Sequence, residues 1–257
     1  MLKPRLTEGI RRMNGVHWLL LFGVILLCWA VLFAMSVPQD LRAAGSVYGA
    51  EFWQSLCTLT PDAGGAARMV LMWILMSAAM MAPTALPAFA TYDDLGQTTE
   101  GTRFGDLVAG YLLVWIGFSL FATGLQLVLL RADLVSVFGD SRSTLLSAFL
   151  LLIAGGYQFT PLKEQCLSKC RRPLVFFMQH WDEGAFRNGL RLGAVCLGCC
   201  WALMLLAFVG GVMNLAFMGL ATVFMVLEKL PEIGRWLTRP MGGMLCASGL
   251  WLLVTSI

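Results

Sequence analysis

Val195-Cys-Leu-Gly-Cys-Cys-Trp-Ala-Leu-Met204 sets three cysteines inside an apolar run long enough to lie in a membrane. On a helix advancing ~100° per residue, Cys196, Cys199 and Cys200 fall within roughly a 100° arc, so three sulfur atoms face one way in a low dielectric. A single buried cysteine is ordinary packing, because the free thiol behaves as a small hydrophobe. Three on one helical face favour a metal or redox role. Thiolates at this spacing suit a soft ion such as Cu(I), and suit zinc less well.

The surrounding composition points the same way. The chain has 257 residues, 58% hydrophobic and 13% charged, with mean hydropathy +0.76. A soluble domain carries about 25% charged residues, so an all-α, polytopic integral membrane bundle is expected, with residues 1–257 as a single membrane domain. Residues 1–14 are basic, but the apolar run behind them is long enough to span and lacks a small-residue cleavage site, so no cleaved signal is read there. The pI near 8.5 reflects loop charges and implies no nucleic-acid partner. Walker, Gly-x-Gly-x-x-Gly and His-Glu-x-x-His motifs are absent from the sequence.

Seven apolar runs approach the ~20 residues that a bilayer core requires. They lie near residues 16–37, 66–90, 107–130, 145–159, 189–209, 212–230 and 241–257. The second should be bent or ended by Pro83 and Pro87. The segment 189–230 is too long for one crossing, and Gly210-Gly211 offers the hairpin, because glycine accepts turn dihedrals. With the N-terminus inside, 14 of the 18 Lys and Arg residues fall on inner segments, leaving Arg42, Arg68, Arg131 and Arg142 outside. That asymmetry predicts an N-in, C-out topology in the inner membrane of a bacterium.

The inner segment 160–188 carries its own signals. Thr160-Pro161 reads as an N-cap followed by proline at the first helical position. The helix would place Cys166 and Cys170 on one face at i, i+4 and end at Pro173, with 175–181 along the membrane surface near His180. Its lysines and arginines can grip anionic lipid while the cysteines face the bundle. Five thiols then gather on the cytoplasmic half, where thiols stay reduced, which fits metal binding better than structural disulfides. Cys28 and Cys246 read as packing residues, and Cys57 is a lone cysteine in the outer segment 38–65.

The second run adds Met69, Met72, Met76 and Met80 within about an 80° arc, with Met81 beside them. Such a stripe usually packs, but thioethers also select Cu(I), so Met76, Met80 and Met81 join the candidate ligands. Running from the outer toward the inner face, the stripe could pass a soft ion along by ligand exchange. Asn214 and Glu228 should face the bundle, with Glu228 either functional or paired with Lys229 or the interface. No nucleophile, base and orienting group gather in one place, so an enzyme is not indicated.

Three motif blocks carry a family resemblance. Met72-Trp-Ile-Leu-Met-Ser-Ala-Ala-Met-Met-Ala-Pro83, Tyr157-Gln-Phe-Thr-Pro-Leu-Lys-Glu-Gln-Cys-Leu-Ser-Lys-Cys-Arg171, and Cys196-Leu-Gly-Cys-Cys-Trp-Ala-Leu-Met204 with Gly211-Val-Met-Asn-Leu215 and Glu228-Lys229 resemble the DUF2182 family of predicted metal-binding integral membrane proteins. The resemblance implies copper handling and, for some relatives, supply of copper to cuproenzymes.

The leading expectation is therefore a protein that moves or delivers Cu(I) through Cys166, Cys170, Cys196, Cys199, Cys200 and the methionines. Its partners would be the lipid bilayer and a cuproenzyme or copper chaperone. A membrane thiol-redox protein and a non-catalytic subunit of a larger membrane complex or oligomer are the alternatives. The inward position of the cysteines weighs against the first of these.

Overall fold

The computed structural model describes residues 15–36, 63–96, 103–136 and 139–255. Cys57, Arg42 and the basic residues before Asn14 lie outside the described residues. Ten α-helices form among the described residues: α1 (Val16–Ser36), α2 (Ala63–Gly96), α3 (Phe104–Arg131), α4 (Thr144–Tyr157), α5 (Pro161–Cys170), α6 (Pro173–His180), α7 (Ala185–Leu205), α8 (Ala207–Gly210), α9 (Leu215–Lys229) and α10 (Gly234–Thr255). Among the described residues the sole β feature is an isolated bridge between Val135 and Ser141.

Apolar side chains cover the outside as well as the core. On α1, Leu19, Leu20, Leu26, Leu27 and Phe33 are exposed while Trp18, Leu21, Ile25 and Leu32 pack inward. A polar solvent would penalise that outer face, so the arrangement is compatible with a multi-pass membrane protein. Among the described residues five helical stretches are long and apolar enough to cross a membrane, and a sixth joins them if α4 and α5, bent by 65°, count as one. The expected runs at 145–159 and 212–230 appear as α4 and α9, of 14 and 15 residues. At 1.5 Å per residue each is roughly 22 Å long, short of a ~30 Å hydrocarbon core.

Several local expectations meet the structure directly. Thr160 caps α5 by accepting from the Lys163 N–H, and Pro161 occupies its first turn. Gly211 turns the chain with φ +91°, a left-handed value that glycine takes without strain. One expectation is narrowed and one needs correction. Of the bend or end expected at Pro83 and Pro87, the end does not occur, because α2 runs on to Gly96. That extension lets Asp93 accept from Trp18 Nε1 at 2.9 Å, with His17 Nε2 3.2 Å away, tying α1 to α2. Asn214 does not face the bundle: it is exposed and caps α9, its side chain accepting from the Phe217 N–H at 3.1 Å. Asparagine satisfies an orphan N–H there more readily than it pays for burial.

Helix α7 sits at the centre, against α3. Gly189, Gly193, Cys196 and Cys200 form one stripe along it, four small residues at helical spacing. A Cβ on Gly189 would lie 2.1 Å from Leu107 O, and one on Gly110 would lie 2.3 Å from Phe186 O. The two backbones touch through these glycines, the small-residue contact used where helices pack in lipid. The same stripe carries Cys196 and Cys200 onto α3 and α2, so the seam that closes the fold also positions the thiols.

Candidate metal centre

Cys196, Cys199 and Cys200 are each 1% exposed. Their sulfur atoms all lie within 4.8 Å of one another, with Cys199 and Cys200 Sγ 3.3 Å apart. Metal–thiolate bonds of ~2.3 Å span at most ~4.6 Å between two sulfurs on one ion, so the triad lies close to ligating separation. All seven cysteines among the described residues are free. The one-faced arrangement expected from the spacing is therefore what the helix delivers.

Polar groups converge on Cys196 from three other helices. Lys229, at the end of α9, donates from Nζ to Cys196 Sγ at 2.9 Å and to Thr84 Oγ1 at 2.6 Å. Tyr111 on α3 has its hydroxyl 3.1 Å from Cys196 Sγ and donates to the Met81 carbonyl at 2.9 Å. Thr84 on α2 donates to that same carbonyl at 2.8 Å. A small cavity of about 60 Å³ joins Cys196 and Lys229 to Cys170, Arg171 and Pro173.

The two cysteines of α5 take different places. Cys170 lines that cavity. Cys166 lies over Gly198 on another flank of α7, where a glycine Cβ would meet its sulfur at 2.7 Å. The Tyr157 hydroxyl donates to the Gly198 carbonyl, and its ring stacks edge-on against Trp201. Both α5 cysteines are half-buried. Met76, Met80 and Met81 are all buried on α2, and Met81 is the residue whose carbonyl holds Tyr111 and Thr84.

The charged residues near the site correct one sequence expectation. Glu228 pairs neither with Lys229 nor with the interface. Lys163 Nζ lies 2.9 Å from one of its carboxylate oxygens and 3.0 Å from the other, with both side chains 1% exposed. Arg171 donates from Nε and Nη2 to the Glu228 carbonyl at 3.1 and 3.0 Å. Successive helical residues diverge by ~100°, so Glu228 turns to α5 while Lys229 turns to α2 and α7. Lys163 and Lys229 are thus interior groups, although the sequence pattern counts them as loop charges. Sequence reading missed Lys229, Thr84 and Tyr111 as neighbours of Cys196. The one available signal was Glu228-Lys229 at a span end, and it resembles any interfacial charge pair.

These features define a class: an all-helical protein with a buried thiol triad able to hold a soft metal ion. The family model described as PpoB2, copper chaperone, matches residues 70–252. The chain belongs to this copper chaperone family. Membership and the triad together support a copper-handling role and copper binding. No curated protein and no solved structure matches the chain.

Proposed function

We propose that this protein is a multi-pass membrane copper chaperone that binds Cu(I) at Cys196, Cys199 and Cys200 and passes it to a partner. The observation that carries the reading is the buried triad, three sulfurs within 4.8 Å of one another. Cu(I) accepts two or three sulfur ligands, whereas Mg²⁺, Ca²⁺ and Mn²⁺ prefer oxygen. Zinc favours a closed set of four ligands, and the compact group here offers three. Cys170 is the port ligand, exchanging the ion between cavity and triad, with Cys166 one turn away on α5. Met76, Met80 and Met81 supply weaker thioether ligands on the opposite side.

In this reading the protein sits in the inner membrane of a bacterium with seven crossings, N-in and C-out, α4 and α9 being the two short ones. Cys170 and the cavity mouth then face the cytoplasm, and the recipient is a membrane cuproenzyme or another copper carrier. The motifs behind the DUF2182 resemblance all lie within the matched segment 70–252, and they agree with this reading. Reporter fusions after Ile257 and within segment 161–188 should read periplasmic and cytoplasmic respectively. The same side for both rejects the topology.

The decisive experiment is copper stoichiometry of the purified protein under reducing, anaerobic conditions. Replacing Cys196, Cys199 and Cys200 together by Ser is expected to abolish stoichiometric Cu(I) while leaving a folded, membrane-inserted chain. Full copper retention in that triple variant refutes the assignment.

A further inference from the structure

Lys229 is a buried lysine with an unusual set of neighbours. It is 8% exposed, and its Nζ meets a hydroxyl and a thiol. No carboxylate among the described residues pairs with it, because the adjacent Glu228 is committed to Lys163. The threonine spends its own hydrogen on the Met81 carbonyl at 2.8 Å, so Thr84 Oγ1 presents a lone pair to Nζ. An ammonium removed from water requires an opposite charge close by. The nearest group able to carry one is the Cys196 sulfur, 2.9 Å away.

A cation held 2.9 Å from a metal ligand is a poor feature for a site that merely collects cations. It makes sense for a site that must weigh ionic charge. Each unit of cationic charge brought to the three sulfurs meets the Lys229 ammonium at close range in a low dielectric, where like charges repel strongly.

We propose that Lys229 is the fixed counter-charge of the cysteine site and sets its preference for Cu(I) over divalent thiophilic ions. The inference rests on the Cu(I) reading above and adds a specificity-determining residue to it. Lys229 need not touch the ion. It acts through the field it imposes on whatever Cys196, Cys199 and Cys200 hold. Repulsion from a neighbouring unit charge is twice as large for a divalent ion as for a monovalent one. Removing the ammonium therefore helps both ions, but helps the divalent ion more. Any loss of thiolate character at Cys196 weakens both and cancels in their ratio.

The test is a competition between Cu(I) and Zn²⁺ on the full-length, detergent-solubilised protein, kept reduced and anaerobic. The readout is the ratio of the two dissociation constants for the wild type, Lys229→Met and Lys229→Arg. Lys229→Met should move the ratio toward Zn²⁺ on the order of 100-fold, the effect of one unit charge a few Å away at an effective dielectric near 20. Lys229→Arg, which keeps the charge, should stay close to wild type. An unchanged ratio in Lys229→Met overturns the proposal, and so does an equal shift in Lys229→Arg, which would make the effect one of shape. Should Lys229→Met fail to accumulate, Lys229→Gln keeps a donor for Thr84 without the charge and reads the same ratio. A wild type that binds no Cu(I) would instead reject the copper site itself.

Discussion

The α3–α7 seam and the α4–α10 seam are closed by the same device, and each carries a cysteine. On the first, glycines 110, 189 and 193 bring two backbones together. On the second, a Cβ on Gly155 would lie 2.6 Å from Cys246 Sγ, and one on Gly249 would lie 3.0 Å from Ala148 O. Cys246 fills the notch left by Gly155 and, among the described residues, has no charged hydrogen-bond partner. Cys196 meets a lysine, a tyrosine and a threonine. Residue type and glycine notch are alike in the two places, although Cys196 is buried and Cys246 half-buried. What separates them is the ring of polar partners, which turns a small hydrophobe into a candidate ligand.

The comparison can be broken most severely from α5. Lys163 and Glu228, each 1% exposed, hold α5 to the end of α9 and thereby set the direction of Lys229. Lys163→Met leaves a carboxylate buried without its partner, and breaking a buried pair from one side costs about 3–5 kcal/mol. A denaturation midpoint in detergent should fall accordingly, and copper binding should weaken with it. The double variant Lys163→Met/Glu228→Met should recover most of the stability. If the single variant is as stable as wild type, the pair does not organise the site.

A smaller loss is expected at the seam itself. Gly189→Ala places a methyl 2.1 Å from Leu107 O, a backbone atom with no way to yield locally. Overpacking of this kind costs about 1–3 kcal/mol, partly offset by the better helix propensity of alanine. The two helices must separate, so copper affinity should drop along with the melting temperature. Gly117, which faces open space on α3, is the control: Gly117→Ala should leave copper affinity unchanged and the melting temperature equal or slightly higher.

The smallest effect is expected at the other cysteine. Cys246→Ala removes one sulfur from the Gly155 notch and should cost no more than about 1 kcal/mol. Copper stoichiometry should remain at the wild-type value. A loss of copper in this variant would erase the distinction between the two seams.

The sequence by itself determined the all-helical character, the Gly211 hairpin, the Thr160 cap and the single face of Cys196, Cys199 and Cys200, because each is a local matter of hydropathy, backbone freedom or the 3.6-residue period. It also kept Cys170 close in the chain to α7, and the structure sets it in the cavity beside Cys196. Only the tertiary structure decided how two adjacent charges at one helix end would divide. Glu228 turns to Lys163, 65 positions away, and Lys229 turns to Cys196 and Thr84, 33 and 145 positions away. No local pattern encodes those choices. They follow from three glycines letting α3 and α7 touch, and from the rule that a buried charge must find its opposite wherever the packed helices have left one.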